Sequence, residues 1–411
     1  MAKHKIINDP VHGFISVEGD ILLALIDHPW FQRLRRIRQL GMTSLVYPGA
    51  QHTRFQHAIG AMHLMQSAVD TLRNRGVKLR DDERMALQIA ILLHDIGHGP
   101  FSHALEHCLI DVDHEQITQL IMDSYEHTYG GVVSDAIRVF RGECRPFMHE
   151  LISSKLDTDR LDYLKRDSFF TGVVEGTIGS ERIIKMLSLT PKEHLAVEEK
   201  GIYTIEDFLL TRRLMYWQVY LHKTVVAAEN MLRSAIRRAR YLRQTGKDLW
   251  MTPTLSYFLD RDINFDTLGK SEEALSKFCM LDDDDITTSL KAWMNSNDRL
   301  LSMLSSGLVG RKIFSIELSR QEYGAEQIDE VAQEVAQEYG LTATETAEYL
   351  VVTGSLSSKT YSQSDGRVNI LMRDGKVCDL ADVSTLIGQK KAADDDKMYF
   401  LCRPRRKENT L

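Results

Sequence analysis

The sequence is short of cysteine: Cys108, Cys144, Cys279, Cys378 and Cys402 are scattered through 411 residues with no C-x-x-C pair. That spacing excludes a structural thiolate zinc site, and an odd number of isolated thiols suits a reducing compartment. A long apolar run is missing too, so no segment offers the ~20 residues that cross a bilayer as a helix. Charged Lys3 and Lys5 lead straight into INDPVHGF, which predicts a chain without a signal peptide. Together these absences predict a cytoplasmic protein. There is no excess of positive charge either. A net charge of −7 argues against a general nucleic-acid binder. It leaves RLRRIR (33–38) and RSAIRRARYLR (233–243) as local runs, suited to solvated helix faces or to a small polyanion. No P-loop and no dinucleotide-binding glycine fingerprint occurs, so kinase-type NTP chemistry and nicotinamide chemistry are unsupported.

What the chain has is histidine. Nine of its fifteen histidines fall between His52 and His127. They are densest in HDIGHGPFSH (94–103), directly after MALQIAILL (85–93), a run with almost no polar side chain that must lie inside. A buried carboxylate needs a counter-charge, and a metal ion is the one that also suits imidazole. A lone His-Asp pair is more often a cap beside a satisfied core histidine. His98 and His103, both within nine residues of His94, turn the reading towards a metal site.

Helical periodicity runs through 21–38, 54–75, 82–96, 101–109, 114–126, 132–141, 148–168, 180–188 and 204–244. Asp113 followed by Gln116 is a capping-box start that fixes His114 in a first helical turn. Gly97, Gly99 and Pro100 end the preceding helix and force a tight loop around His98. After residue 250 the texture changes. A linker-like stretch over 251–269 leads to short helices at about 271–279 and 284–305. KIFSIEL (312–318), EYLVVTG (348–354), RVNILM (367–372) and MYFLCRP (398–404) read as strands, with Asp374-Gly375 as a hairpin turn and helices over 323–338 and 341–347 between them. The predicted class is mostly α: a helical domain over 1–250 and a smaller C-terminal α+β lobe over 251–411, the lobe serving oligomer contacts.

A divalent metal in a helical protein needs three to five ligands converging from separate helices. His94 and Asp95 supply two. His57, inside TRFQHAIG (53–60), is a third candidate, with Arg54 beside it to hold an anion. A fourth comes from SKLDTDRLDYLKRDS (154–168), where Asp157, Asp159, Asp162 and Asp167 are all open. Lys155, Arg160, Lys165 and Arg166 interleave with those acids, so the segment reads equally well as a salt-bridged helix.

The set RFQH (54–57), HDIGHGPFSH (94–103), HEQ (114–116) and LDTDRLDYLKRD (156–167) resembles the HD-domain phosphohydrolase superfamily. NDPVHGFI (8–15), FQRLRRIRQLG (31–41), YPGAQHTRFQHAIG (47–60) and TRRLMYWQVYLHK (211–223) make the chain most similar to the deoxynucleoside triphosphate triphosphohydrolases of the sterile-alpha-motif/HD type. The likeness is dense over about residues 3–245. A sterile-alpha-motif domain is not expected, because residue 5 already lies inside the HD-type pattern.

The resemblance implies that His57, His94, Asp95 and Asp159 ligate a divalent metal; two histidines with two aspartates suit Mn, Fe, Co, Ni or Zn, and Mg beside phosphate. It places His98 and His114 at the scissile phosphate, with Glu106 supporting them where the family has Asp. Gln39 and Asp167 are implied to face the sugar 3′-hydroxyl and Tyr163 to pack against the ribose, excluding a 2′-hydroxyl. Tyr220 and His103 border the nucleotide, Arg54, Arg160 and Arg212 clamp the triphosphate, and Leu40 and Asp157 complete the substrate contacts. Arg160 stands where the metazoan enzyme has Lys, a fork in place of a point charge. Lys5, Asn8, Asp27, Gln32 and Arg35 match residues that bind an activating guanine nucleotide between subunits, although Phe14 replaces a family histidine there. A homo-oligomer, dimer or tetramer, is implied.

The implied reaction is metal-dependent hydrolysis of a dNTP to deoxynucleoside and inorganic triphosphate. Attack at the α-phosphorus expels the sugar 5′-oxygen, a poor leaving group that needs a general acid, His114 or His98. Two readings compete. One is an HD-type phosphohydrolase acting on a nucleoside monophosphate, cyclic dinucleotide or guanosine polyphosphate, with the same metal site and a different pocket. The other is a non-catalytic nucleotide-sensing HD protein, which should have lost metal ligands or catalytic histidines; all of them are present.

Overall fold

The computed structural model describes residues 4–357, 367–386 and 397–406. Its centre is the helix Arg54–Asn74, which packs against Asp81–Leu93 on one side and Thr158–Thr171 on another. Small residues make the second contact close. A Cβ added at Gly60 would lie 2.1 Å from Asp162 Oδ1 and 2.2 Å from Arg166 Nη2, so only glycine lets the two helices approach this far. Every residue from Ala86 to Leu93 is buried, as the apolar run predicts. His114–Tyr129 and Gly131–Phe140 complete the wall behind it.

Several long predicted helices are broken, each for a local reason. Residues 21–38 divide into Asp20–Asp27, Pro29–Gln32 and the 3-10 turn Arg33–Arg36, because Pro29 holds His28 extended. Residues 101–109 contain only the 3-10 turn Ser102–Ala104, since Phe101, Ser102 and His107 adopt positive φ of 54, 53 and 56°. The 148–168 stretch separates into Pro146–Glu150 and Thr158–Thr171, the second opened by Asp157, whose side chain accepts from Arg160 N at 2.7 Å. The 204–244 stretch is Ile202–Met215, a π turn over Tyr216–Tyr220, and Lys223–Gln244, restarted by the His222 side chain accepting from Thr224 N. The supposed linker 251–269 holds two capped helices, Pro253–Leu259 and Phe265–Lys270, with Leu255, Phe258 and Leu268 buried. Residues 284–305 form Asp283–Trp293 and Arg299–Val309, the second capped by Asp298.

The strands predicted after residue 310 form as Ser315–Ser319, Val352–Leu356, Asn369–Leu371 and Met398–Arg403. The last lies centrally between the first two in an antiparallel sheet. Asn369–Leu371 turns through Gly375 (φ 85°) into Val377–Asp379. Two hairpins had no sequence signal: His4–Asp9 with Gly13–Glu18, and Leu187–Leu189 with Leu195–Glu198. Asn369–Leu371 pairs parallel to Leu195–Glu198, so a lobe strand extends a core hairpin into a four-stranded sheet. The architecture is mostly helical, with small sheets at its margins. Among the described residues no helix is long and apolar enough to cross a membrane.

Candidate active site

His57 lies in the first turn of Arg54–Asn74, an entry fixed by Gln56 Oε1 accepting from Thr53 N at 2.9 Å. Its Nδ1 is 2.8 Å from Asp162 Oδ2. A carboxylate only accepts, so Nδ1 carries the proton and the Nε2 lone pair is free. His94, which ends the next helix, places Nδ1 2.6 Å from the Ile91 carbonyl, which frees its Nε2 in the same way. The two Nε2 atoms face each other at 3.4 Å. Asp159 Oδ1 stands 3.1 Å from the first and 3.5 Å from the second, and Asp95 Oδ1 is 3.4 Å from His94 Nε2. Lone pairs and carboxylate oxygens repel when they converge in a buried site. A cation among them removes that repulsion, so the donor set fits a divalent metal. The electrostatics agree. Burial opposes a charge on His57, yet Asp159 and Asp162, which accept from its ring, outweigh it and push its pKa up to about 10, so that without a metal ion a proton takes the cation's place on Nε2.

Asp162 stands behind the site. It accepts from Arg166 through both oxygens, at 2.8 and 2.9 Å, and touches His12 Nε2 at 2.7 Å. Arg166 in turn reaches Asp9 at 2.8 Å. Burial disfavours an ionised Asp162, but Arg166, His12 and His57 hold its carboxyl well below the usual range. Carboxylate support of a metal-binding imidazole in this manner fixes the ring's tautomer and orientation. The N-terminal hairpin therefore braces His57, a candidate metal ligand, a role its sequence does not advertise.

A second group of imidazoles adjoins the first. His98 stacks on His114 with ring centroids 3.9 Å apart, and His103 stands edge-on to both. Glu106 Oε1 accepts from His114 Nδ1 at 2.6 Å and Oε2 from His103 Nδ1 at 2.8 Å. Burial works against an ionised Glu106, yet these two bonds hold its carboxyl far below its ordinary range. Burial, reinforced by Arg54, lowers His98 well below the imidazole range. His98 Nε2 also approaches Asp95 Oδ1 at 3.4 Å. The strained loop carrying these groups is held from outside: Asp283 accepts from Phe101 N at 2.7 Å and from Arg38 N at 3.0 Å. In the acidic run 282–285, Asp282 and Asp283 are thus buried and act as a brace, while Asp284 faces solvent.

The two groups meet at a cavity of about 440 Å³, which Asp95 and Asp159 border from the first and His98, His103 and His114 from the second. Gln39, Leu40, Arg54, His103, Tyr163, Asp167 and Tyr220 line it together with Asp95, Asp159, His98 and His114. Arg54 is buried between Ser102 and Asp95. Tyr220 donates to Asp167 Oδ2 at 2.8 Å, while Asp167 Oδ1 meets His52. Gln39 Oε1 is buried without a partner among the described residues. Three expected contacts lie elsewhere. Asp157 is fully buried as the helix cap, bonded to the Arg160 side chain, so it reaches a ligand only through Arg160. Arg160 and Arg212 line a neighbouring cavity. Glu229, which the sequence did not single out, lines the first one, and burial pushes its carboxyl up to about 7. It sits on a helix whose amphipathic pattern gives no hint of a cavity. On the outer surface Lys5 approaches Asp27 at 3.5 Å, and Arg35 donates to Gln32, while Asn8 is exposed on the hairpin.

The pattern of the HD domain matches residues 54–167, and that of an HD-associated region matches 178–249. A Bacillus subtilis (strain 168) protein, the uncharacterized YwfO, is 30% identical over 97% of this chain and 93% of its own length. The chain belongs to the HD-domain phosphohydrolases. Within the family, a solved phosphohydrolase from Bacteroides thetaiotaomicron VPI-5482 is 47% identical and superposes with a TM-score of 0.94 over 98% of this chain and 100% of its own. The human deoxynucleoside triphosphate triphosphohydrolase SAMHD1 is 31% identical over 59% of this chain. The chain spans less than half of that protein's length, 46%.

Proposed function

We propose that this phosphohydrolase cleaves deoxynucleoside triphosphates to deoxynucleoside and inorganic triphosphate, with a divalent ion held by His57, His94, Asp95 and Asp159. The observation that carries the reading is the single cavity where the ligand cluster, the imidazoles around Glu106 and a wall of Tyr163, Tyr220 and Asp167 meet. The bound ion supplies positive charge to phosphate oxygens and makes water more acidic. The side chains do the rest. Arg54 presents a buried guanidinium to the phosphates. Gln39 offers its unpartnered oxygen to the 3′-hydroxyl, beside Asp167. Tyr163 closes on the ribose and leaves no room for a 2′-hydroxyl. His114, its Nδ1 fixed by Glu106, hands a proton to the departing 5′-oxygen, and the Glu106 carboxylate stabilises the imidazolium that acts as acid.

The reading extends to the whole chain. Residues 1–250 carry the chemistry, residues 251–411 add a lobe that serves oligomer contacts, and Lys5, Asn8, Asp27, Gln32 and Arg35 bind an activating guanine nucleotide between subunits of a dimer or tetramer in the cytoplasm. The deciding experiment incubates the protein with dNTPs, NTPs and monophosphates across several divalent ions and separates products by anion exchange. Inorganic triphosphate from dNTPs alone is expected. Orthophosphate from a monophosphate, or a linear dinucleotide from a cyclic one, overturns the substrate assignment.

A further inference from the structure

The loop that carries His103 and Glu106 is gripped from outside by the helix Lys223–Gln244. Arg233 donates through Nε to the Ala104 carbonyl at 2.7 Å and through Nη2 to that of His103 at 3.3 Å. Arg240 donates through Nη1 to the Cys108 carbonyl at 2.8 Å and through Nη2 to that of Leu109 at 2.7 Å. Two helical turns separate these arginines, so they share one face of their helix. Their forks close on the chain just before and just after Glu106. The other arginines of the run 233–243 are engaged as well. Arg237 donates to the Glu348 carbonyl at 2.9 Å, Arg238 pairs with Asp298 at 2.6 Å and Arg243 with Asp260 at 2.8 Å. The run that suited a solvated face or a polyanion instead fastens this helix to its neighbours.

The loop needs holding. Phe101, Ser102 and His107 have φ of 54, 53 and 56°, left-handed values that residues other than glycine keep only where their surroundings enforce them. Glu106 must also meet two different rings at once. Its Oε1 accepts from His114 Nδ1 at 2.6 Å and from His114 N at 3.1 Å, and its Oε2 from His103 Nδ1 at 2.8 Å. A carboxylate on a flexible stem keeps both partners only if its backbone is fixed. Asp283 secures the loop at Phe101 N, and the two arginines secure the remainder. Arginine suits this task because its rigid fork bridges two carbonyls, where lysine offers a point charge.

We propose that Arg233 and Arg240 are positioning residues for the proton donor. They hold the backbone of Glu106 so that its carboxylate keeps His114 in the tautomer and orientation that deliver a proton to the leaving oxygen. In that step the P–O electron pair stays with the departing oxygen, which takes the proton from His114 Nε2, while Nδ1 keeps its own on Glu106. Neither arginine lines the catalytic cavity, so each acts through Glu106 and His114 and not on the substrate. The inference rests on the reading of His114 as general acid above, and holds whichever phosphoester is cleaved.

Arg233→Gln and Arg240→Gln in the full-length, metal-loaded protein test this on two kinds of substrate. One is the nucleotide that the product panel selects. The other is thymidine 5′-(p-nitrophenyl phosphate), whose p-nitrophenolate departs without a proton. Each variant should lower kcat on the nucleotide about 10–100-fold, with KM and bound metal unchanged and the aryl ester cleaved at the wild-type rate. In a His114→Ala background the same substitutions should bring no further loss, because residues that act as a unit are not additive. Arg233→Lys, which keeps the charge but not the fork, should lose less than Arg233→Gln. Cooperative melting shows that each variant is folded, and faster amide exchange over residues 101–109 shows the loop released. Equal losses on both substrates, losses that persist without His114, or unchanged exchange in a folded variant overturn the proposal. The acid reading fails separately. His114→Ala then slows both substrates alike, while exchange over 101–109 still decides whether the arginines hold the loop.

Discussion

At the scale of single residues, four aspartates in one segment divide their labour by direction. Asp159 and Asp162 lie three apart, on one face of the Thr158–Thr171 helix, and approach His57 from opposite edges of its ring. The sequence offered this segment as a source of a metal ligand but could not choose among its acids, because helical spacing brings both to the same imidazole. Only the position of His94 beside Asp159 distinguishes them. Two outcomes follow at this scale. His114→Ala should cut kcat by about 10²–10⁴ while elemental analysis shows metal retained; loss of metal would make His114 a ligand instead. Glu229 concerns pH. Burial pushes its carboxyl up to about 7, against the opposing pull of Arg233 on the same helix, so it is neutral below that pH and charged above. A charge gained there repels a triphosphate, so KM for dNTP should climb between about pH 6 and 8. Glu229→Gln should flatten that rise; an unchanged KM profile in the variant assigns the slope to another group.

At the scale of elements, the readable parts were those with strong local chemistry. The helix His114–Tyr129 begins where its capping box predicts, and Arg54–Asn74 fills the periodic stretch 54–75 to within one residue. The N-terminal hairpin was illegible because its strands are six residues long and only Ile15 and Val17 in the second are deeply buried, while Phe14 just before them is 75% exposed. Ile6 and Ile7 are adjacent in the first strand and Phe14 and Ile15 in the second, so strict alternation lasts only from Ile15 to Glu18, too short for a period-2 signal. Yet this hairpin supports the proposed metal centre through Asp9, His12, Arg166 and Asp162. Asp162→Asn leaves every ligand in place but removes the charge that orders His57. It should weaken metal affinity about 10–100-fold, measured by competition with a chelator. An affinity equal to wild type would show that the Ile91–His94 side alone orders the site.

At the scale of the whole molecule, the regulatory proposal joins the outer face of that hairpin to the assembly. A nucleotide held between subunits stabilises the oligomer by mass action, so GTP or dGTP should raise oligomer fraction and dNTP turnover together. Sedimentation and rate measurements with and without nucleotide check this; full activity in a monomer indifferent to nucleotide discards it. The sequence changes texture near residue 250, where the expected division falls. What could not be read was that Asn369–Leu371 returns to pair with Leu195–Glu198, a contact 174 residues distant in the case of Asn369 and the Leu195 carbonyl. That return has a practical consequence. A chain ended at residue 250 would keep the whole HD pattern but bare one edge of the core hairpin, with its row of unpaired N–H and C=O groups. Such a fragment would recruit strands from its own copies, so insolubility of an isolated HD segment would report an uncovered sheet edge and say nothing about its metal or its chemistry.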